Sequence, residues 1–376
     1  MESRLKEVAL LFLRLGVTAF GGAAAHVAIM EQEIVRRRKW VTHERFLDLL
    51  SAASLIPGPS SSELAIYLGY ERAGWRGLVV GGACFIAPAA ILSALLAWAY
   101  VTYGALPQVG GLLYGVKPIV VAIVLHALAG LAPKAVKRSR RLALLGALAL
   151  AAAAAGIDPL AVLVATGAAN MLVRRAAFAR DRAPAFVAWT AAFSAGSATA
   201  APATLLALFG TFAKIGAIVF GSGYVLLAFL RADLVDRTHW LTESQLIDAV
   251  AVGQITPGPL FSTASFIGYL VAGTNGAIVS TIAIFLPGFL LVAATRPLVA
   301  RVRSSPSAGA FLDGVNVASL AVMAHVTAQL ARTALVDPTT MLMAVGGAVL
   351  LFRYAVGSTW LVLGSACVGM ALQGLR

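Results

Sequence analysis

The stretch SLIPGPSSSELAIYLGY at residues 54–70 returns in altered form as QITPGPLFSTASFIGY at residues 254–269. In both copies a Pro-Gly-Pro triplet interrupts an apolar run, small hydroxyl residues follow, and Gly-Tyr closes the pattern. The two prolines withdraw amide donors, so no helix continues through the triplet. Broken backbone at membrane depth is stable only inside protein or beside a water-filled cavity. The fold therefore turns on two questions: whether these runs lie in a membrane, and whether the copies belong to a larger duplication.

The duplication is extensive. Phe12, Arg14, Gly16, Phe20, Gly21, Trp40, Thr42, Asp48 and Pro57-Gly58-Pro59 recur as Phe212, Lys214, Gly216, Phe220, Gly221, Trp240, Thr242, Asp248 and Pro257-Gly258-Pro259. One residue is then lost, and Gly69, Tyr70, Gly74, Gly77, Pro88, Gly115 and His126 recur as Gly268, Tyr269, Gly273, Gly276, Pro287, Gly314 and His325. Two repeats of the same unit, 1–183 and 184–376, make up the chain.

Composition answers the membrane question. Of 376 residues, 60% are hydrophobic and 12% charged, and the mean hydropathy is +0.88; soluble domains carry about one quarter charged residues. At roughly 20 residues per crossing there is room for about ten membrane segments, so an all-α polytopic membrane protein is expected. The net charge of +13 would suggest nucleic acid in a soluble protein. Here most cations sit in short loops between apolar runs, the positive-inside pattern, and no nucleic-acid module is present. Cys84 and Cys367 lie singly in apolar runs, which suggests neither a disulfide nor a thiolate metal site. Residues 1 to 7 carry both signs of charge and no small-residue cleavage site follows, so no cleaved signal peptide is expected. Without a Walker loop, an HExxH motif or a nucleophile with a partner base, the sequence predicts no enzyme, no ATP-driven pump, no cofactor and no metal.

Six apolar segments fall in the first half, at about 8–30, 45–70, 77–101, 108–132, 140–155 and 157–173, with equivalents from 208 onward. Gly21-Gly22, or Gly221-Ser222-Gly223 in the second copy, interrupts the first segment, and Pro-Gly-Pro the second. Four basic clusters follow: Arg36, Arg37, Arg38, Lys39 and Arg45; Arg72 and Arg76; Lys134, Lys137, Arg138, Arg140 and Arg141; Arg174, Arg175, Arg180 and Arg182. All four can be cytoplasmic only if residues 45–70 enter and leave on one face, as a re-entrant hairpin. In the second half the first loop keeps only Arg231 and Arg237 beside Asp233 and Asp236, and the bias moves to Arg296, Arg301 and Arg303. The counterpart of that connection in the first half holds no cation. This change of side predicts two inverted-topology repeats with discontinuous or re-entrant helices at the Pro-Gly-Pro motifs. With five crossings per repeat the apolar run 184–201 does not span; if one short final segment fails to cross, it does.

Inverted repeats with broken helices place a ligand near the midplane, where half-helix N-termini present partly positive amides. Such a site suits an oxyanion. Gly21, Gly22 and Gly221 make the first break, and Gly58 and Gly258 the second. Ser60, Ser61 and Ser62 after Pro59, with Ser262 and Thr263 after Pro259, add hydroxyl donors; the alternative is a tight turn with serine caps. Arg14 and Lys214 are matched cations about 10 Å of helix before each glycine break. Intramembrane cations are functional candidates, and a divalent anion in low dielectric needs neutralising charge. Otherwise the pair snorkels or bonds Asp48 and Asp248. His26 lies near its break opposite Leu226 and is a candidate ligand, whereas the matched His126 and His325 are structural or titrating groups. A permanently charged Glu63 would repel an anion, which makes it a candidate for proton coupling alongside Asp48, Asp248, His126 and His325.

Taken together, Phe20-Gly21-Gly22 with His26, the basic run ending Lys39-Trp40, Pro57-Gly58-Pro59, Ile66-Tyr67-Leu68-Gly69-Tyr70, Gly253-Gln254-Ile255-Thr256-Pro257-Gly258-Pro259 and Phe266-Ile267-Gly268-Tyr269 resemble the bacterial chromate ion transporter (CHR) family in its two-domain form. The resemblance covers nearly all of both halves and is weakest in the linker. It implies efflux of chromate, with sulfate as a related ligand, across the bacterial inner (cytoplasmic) membrane. The chain departs from the family pattern at Ala23, where proline is frequent, and at Glu63, where a neutral polar residue is more usual. At about 2.3 kcal/mol per charge per 100 mV, expelling a dianion from a negative interior gains roughly 4.6 kcal/mol. That supports a gradient on the order of a thousandfold, whereas import would need coupled cations. Rival readings are an importer or exchanger of sulfate or another oxyanion, and a membrane-embedded enzyme acting on anionic lipid head groups. Membrane lipids are expected partners; the oligomeric state is open, and a homodimer is compatible with the sequence.

Overall fold

The computed structural model describes residues 2–19, 22–54, 56–104, 106–137, 139–177, 203–219, 223–295 and 306–374. Gly21, Gly221, the linker run 184–201 and the cations Arg138, Arg180, Arg182, Arg296, Arg301 and Arg303 lie outside the described residues. Within them every regular element is helical. The first half holds α1 (Glu2–Thr18), α2 (Gly22–Met30) continuing as a π-helix over Glu31–Arg37, α3 (His43–Ala53), α4 (Ser60–Tyr103), α5 (Pro107–Val136), α6 (Arg140–Ala154) and α7 (Pro159–Ala177). The second half holds α8 (Leu205–Ile218), α9 (Leu226–Leu230) continuing as a π-helix over Arg231–Arg237, α10 (Glu243–Ile255), α11 (Thr263–Thr295), α12 (Pro306–Ala334), α13 (Pro338–Tyr354) and α14 (Ser358–Gly374). The order of the first seven helices returns in the second seven, the two π-helices included.

Local chemistry sets the boundaries that matter. Thr42 and Thr242 start α3 and α10 by accepting the N–H groups of Arg45 and Gln245, which satisfies donors a helix start leaves open. Pro-Gly-Pro then stops each helix, and α4 begins only at Ser60. Helices α4 and α11 both double back, at Ala73-Gly74 and Ala272-Gly273, where the glycines adopt φ of 62° and 61°. The gap between the expected segments 45–70 and 77–101 is thus a tight reversal. Its two limbs touch through backbone: a Cβ on Gly69 would overlap the carbonyl of Gly77, and one on Gly268 that of Gly276. Small residues permit this approach between membrane helices.

Residues 45–70 begin and end side by side. Arg45 bonds Glu71 at 2.5 Å, Arg72 bonds Glu7 at 2.5 Å, and Arg38 and Arg72 lie over the Trp40 ring at 5.8 and 5.2 Å. The first two basic clusters therefore share one end of the molecule, as a re-entrant hairpin requires.

Among the described residues, four helical stretches are long and apolar enough to cross a membrane: Ser60–Tyr103, Val109–Val136, Leu260–Thr295 and Gly309–Ala334. Pro159–Arg174, Leu205–Ile218, Pro338–Tyr354 and Ser358–Leu372 are apolar but shorter. The apolar length that would supply about ten crossings is thus partly used in helices shorter than the ~20 residues one crossing takes. The outer surface carries exposed Leu206, Leu342, Val345 and Trp360, as a lipid-facing belt does. The chain is an all-α multi-pass membrane protein.

The two halves interlock. Helix α5 packs on α14, where Gly115 meets the backbone of Ser365, and α12 packs on α7, where Gly314 meets Thr166. Helices α13 on α5 and α6 on α12 repeat the exchange. One apolar core accordingly contains residues of both halves, among them Ile123, Leu163, Phe212, Phe266 and Met323.

Candidate functional site

The interruptions meet. The Gly58 N–H donates to the Val219 carbonyl at 2.8 Å, and the Gly258 N–H donates to the Ala19 carbonyl at 3.0 Å. These are the same bond made twice, because Ala19 and Val219 end matched helices and Gly58 and Gly258 are the centres of matched triplets. Each Pro-Gly-Pro turn is thereby stitched to the break of the other half. Gly58 and Gly258 sit at φ of 127° and 91°, a region that L side chains rarely adopt. One turn before the breaks, Gly16 and Gly216 press against the carbonyls of Phe85 and Ile284. Two expected anion donors, the Gly58 and Gly258 amides, are therefore spent on this stitching. In the first turn of α4 the Ser62 amide is likewise spent, on the Pro59 carbonyl at 2.7 Å, which leaves the amides of Ser60 and Ser61 and the Ser62 hydroxyl. Gly22 opens α2 on the far side of the first break.

His26 is buried and joins two of these pieces. Its Nε2 lies 3.0 Å from the Ala19 carbonyl and its Nδ1 3.3 Å from Ser61 Oγ. A carbonyl only accepts, so Nε2 carries the proton and Nδ1 accepts from the Ser61 hydroxyl. The ring also stands edge-on to Phe85 at 5.5 Å between centroids. Beside it, Ser62 is fully buried and its Oγ has no hydrogen-bond partner, while Ser60 is partly exposed. In the other half, Ser262 lies 3.5 Å from Ser93 Oγ, and the Thr263 hydroxyl is committed to the Leu260 carbonyl at 2.8 Å. Gln254, one turn before the second triplet, also keeps an unpartnered buried Nε2; its location inside an apolar run was the signal for it in the sequence.

Glu63 stands at the centre of the junction and is 1% exposed. Its Oε1 packs into the space left by Gly58 and Gly288, and its Oε2 has no hydrogen-bond partner. No cation pairs with it among the described residues.

The matched cations do not converge on this centre. Arg14 pairs with Glu33 at 2.8 Å and Lys214 with Asp233 at 2.7 Å, so each is neutralised by a matched carboxylate in the π-helix of its own half. Neither Asp48 nor Asp248 is the partner. Asp248 is buried and instead takes the Tyr100 hydroxyl at 3.0 Å and Lys117 at 3.4 Å, whereas Asp48 is half-buried on α3. His126 is exposed, with its ring 4.7 Å from that of Phe352, and His325 is half-buried on α12; neither touches the junction through any bond described. Lys117 escaped the sequence reading. Its signal was a lone cation in the apolar run of α5, hidden because its counterpart, Asn316, is uncharged.

With the geometry in hand, comparison with known proteins gives a consistent result. The family described as Chromate transporter matches residues 6–171 and again residues 206–370. The chromate transport protein of Cupriavidus metallidurans is 34% identical over 376 residues, spanning 99% of this chain and 94% of that relative. The probable chromate transport protein of Synechococcus elongatus is 34% identical over 90% of this chain and 87% of its own length. The chromate transport protein of Pseudomonas aeruginosa is 29% identical over 92% and 86%. No solved structure matches.

Proposed function

The chain belongs to the chromate transporter family, and from that premise we propose that it exports chromate across the bacterial inner membrane by alternating access, with the oxyanion bound where the four breaks meet. The observation that carries this reading is the reciprocal pair of bonds, Gly58 to Val219 and Gly258 to Ala19. It gathers hydroxyl and amide donors of both halves at one point, and a movement of one half against the other must act there first.

An inverted relation of the halves fits the same contacts. Thr295, ending α11, reaches Tyr67 on the first limb of α4 at 2.8 Å. Tyr100, near the end of α4, meets Phe266 on the first limb of α11 at 5.5 Å between ring centroids. Since each first limb folds back on the start of its second limb, the equivalent second limbs run antiparallel. Two equivalent membrane helices with opposite directions belong to repeats of opposite topology.

At the centre, Ser62 and Ser262 offer hydroxyls to the oxyanion, while the Ser61 proton is held by His26. Glu63 carries a proton with the anion, because a carboxylate with no cation beside it would oppose an anion in low dielectric. The membrane potential supplies the driving force, roughly 2.3 kcal/mol at 100 mV for a dianion that travels with one proton. The decisive experiment is chromate uptake into inverted vesicles with and without an imposed potential, alongside sulfate. Chromate accumulation that rises with potential is expected; uptake equal to that of vesicles lacking the protein would refute the reading, and preference for sulfate would reassign the substrate. Efflux by Glu63→Gln should lose part of its pH dependence, and full retention would remove Glu63 from coupling.

A further inference from the structure

A second charged cluster lies away from the junction, and its residues are not matched as a set in the duplication. Asp248 on α10 is 1% exposed. Lys117 of α5 stands 3.4 Å from its Oδ1 and donates to Ser244 Oγ at 2.6 Å. The Tyr100 hydroxyl of α4 donates to Asp248 Oδ2 at 3.0 Å, while Oδ1 has no hydrogen-bond partner. Asp48 matches Asp248 by position, but Glu44 matches Ser244 and Asn316 matches Lys117. The cluster draws on both halves, and the duplication does not reproduce it.

An ammonium and a phenol on one carboxylate, with a serine hydroxyl on the ammonium, are the donors an oxyanion needs. The Ser244 oxygen accepts from Lys117, so its own proton is available to a further acceptor. Lys117 keeps about a fifth of its side chain exposed, which leaves a route to the ammonium, while Asp248 is sealed. Charge decides what can bind. With Asp248 ionised the pair is neutral, and an added anion would leave a net negative charge in a low-dielectric place. With Asp248 carrying a proton, Lys117 is left with an uncompensated positive charge, which offsets one of the two charges of an entering dianion and halves the charge left unpaired.

Resting on the transport reading above, we propose that Lys117, Tyr100 and Ser244 form a second oxyanion site whose resident anion is the Asp248 carboxylate, and that a proton on Asp248 exchanges it for the transported oxyanion. The proton goes to a carboxylate oxygen of Asp248 as the external anion takes over the Lys117 ammonium, one proton for each anion admitted. The groups that face Asp248 are Tyr100 from α4 and Lys117 from α5. Of the other elements packed on α10, α11 carries Tyr269, α14 Cys367, α12 Asp313, His325 and Arg332, and the π-helix over Arg231–Arg237 carries Arg231, Asp233, Asp236 and Arg237, and none of these acts on Asp248. Glu243 on α10 itself is held by Arg231 and Thr333.

The purified full chain in detergent offers a direct test with sulfate, which does not titrate near neutral pH. Protons taken up per sulfate bound are counted with a pH dye in weakly buffered solution. Asp248→Asn should take up one proton fewer than the wild type while still binding sulfate. Lys117→Gln should weaken binding at least ~10-fold, and Lys117→Arg should restore it. Tyr100→Phe should weaken binding about three- to tenfold without changing the proton count, which keeps the proposal testable if Asp248→Asn folds poorly. An unchanged proton count in Asp248→Asn, or full-strength binding by Lys117→Gln, overturns the second site and leaves the central one standing. A wild-type chain that moves neither chromate nor sulfate in vesicles overturns the transport reading itself.

Discussion

Gly58→Ala separates the geometry of the junction from the strain of its backbone. Gly58 adopts φ of 127°, and holding an L residue there costs ~1–3 kcal/mol. The added methyl also overlaps Glu63 Oε1, which Gly288 confines from the other side: a Cβ at Gly288 would lie 2.7 Å from the same oxygen. The carboxyl group must leave its place. Gly74→Ala supplies the control, since Gly74 has φ of 62° and ψ of −149° and its methyl would meet nothing within 4 Å. That conformation also belongs almost wholly to glycine, at a cost of ~1–3 kcal/mol. Thermal unfolding in detergent should therefore show comparable losses of stability in both variants. Chromate uptake into inverted vesicles, normalised to protein inserted, should fall tenfold or more in Gly58→Ala alone, equivalent to ~1.4 kcal/mol or more on the transport barrier. Equal uptake by the two variants would refute the reasoning, because strain would then account for everything and the position of Glu63 for nothing.

Two further outcomes follow from named contacts. His26→Leu installs the residue the second half carries at 226 and removes the bonds to Ala19 and Ser61, worth ~1–3 kcal/mol together; the protein should still insert while efflux falls about tenfold, and wild-type flux would exclude His26 from the site. Lys214→Gln leaves buried Asp233 with Arg237 at 3.0 Å, so the loss in thermal stability should stay below the ~3–5 kcal/mol of a fully unpaired buried charge. Adding Asp233→Asn should recover part of it, and a double variant less stable than the single would contradict the pairing.

The parts of this fold that were legible in sequence act through local covalent constraint. Pro57, Pro59 and their counterparts lack amide donors wherever they stand, so the breaks were certain before any packing was known. The re-entrant course of 45–70 was legible because Arg36 to Lys39 and Arg72 to Arg76 are too numerous to lie on opposite sides, and the Arg45–Glu71 and Arg72–Glu7 pairs hold those ends together. Choices among distant partners were not legible. Arg14 had Asp48 as a plausible mate, but the π-helix turns Glu33 toward it. The Gly58 and Gly258 amides were expected to face a ligand, and only the crossing of the two halves shows that the Val219 and Ala19 carbonyls claim them. Lys117 was not legible as a site residue because its counterpart, Asn316, carries no charge and its partner Asp248 lies in the other half.

What the halves do not share bears on direction. On the inverted reading, exchanging the roles of the halves converts a state open to one side into a state open to the other. Identical halves would make those states equal in energy, with no preference for carrying a proton in either. Stitching bonds, reversal glycines and matched ion pairs are common to both halves and form the moving frame. Glu63 faces Ser262 in the alignment, His26 faces Leu226 and Lys117 faces Asn316, so these three are one-sided, and Asp248, though matched by Asp48, pairs with a cation, Lys117, that is present on one side only. A substitution in the shared frame should slow exchange in both directions alike, because it alters the barrier between equivalent states. A substitution at a one-sided group changes the relative energy of the two states and what travels with the anion, and coupling to a gradient depends on that difference.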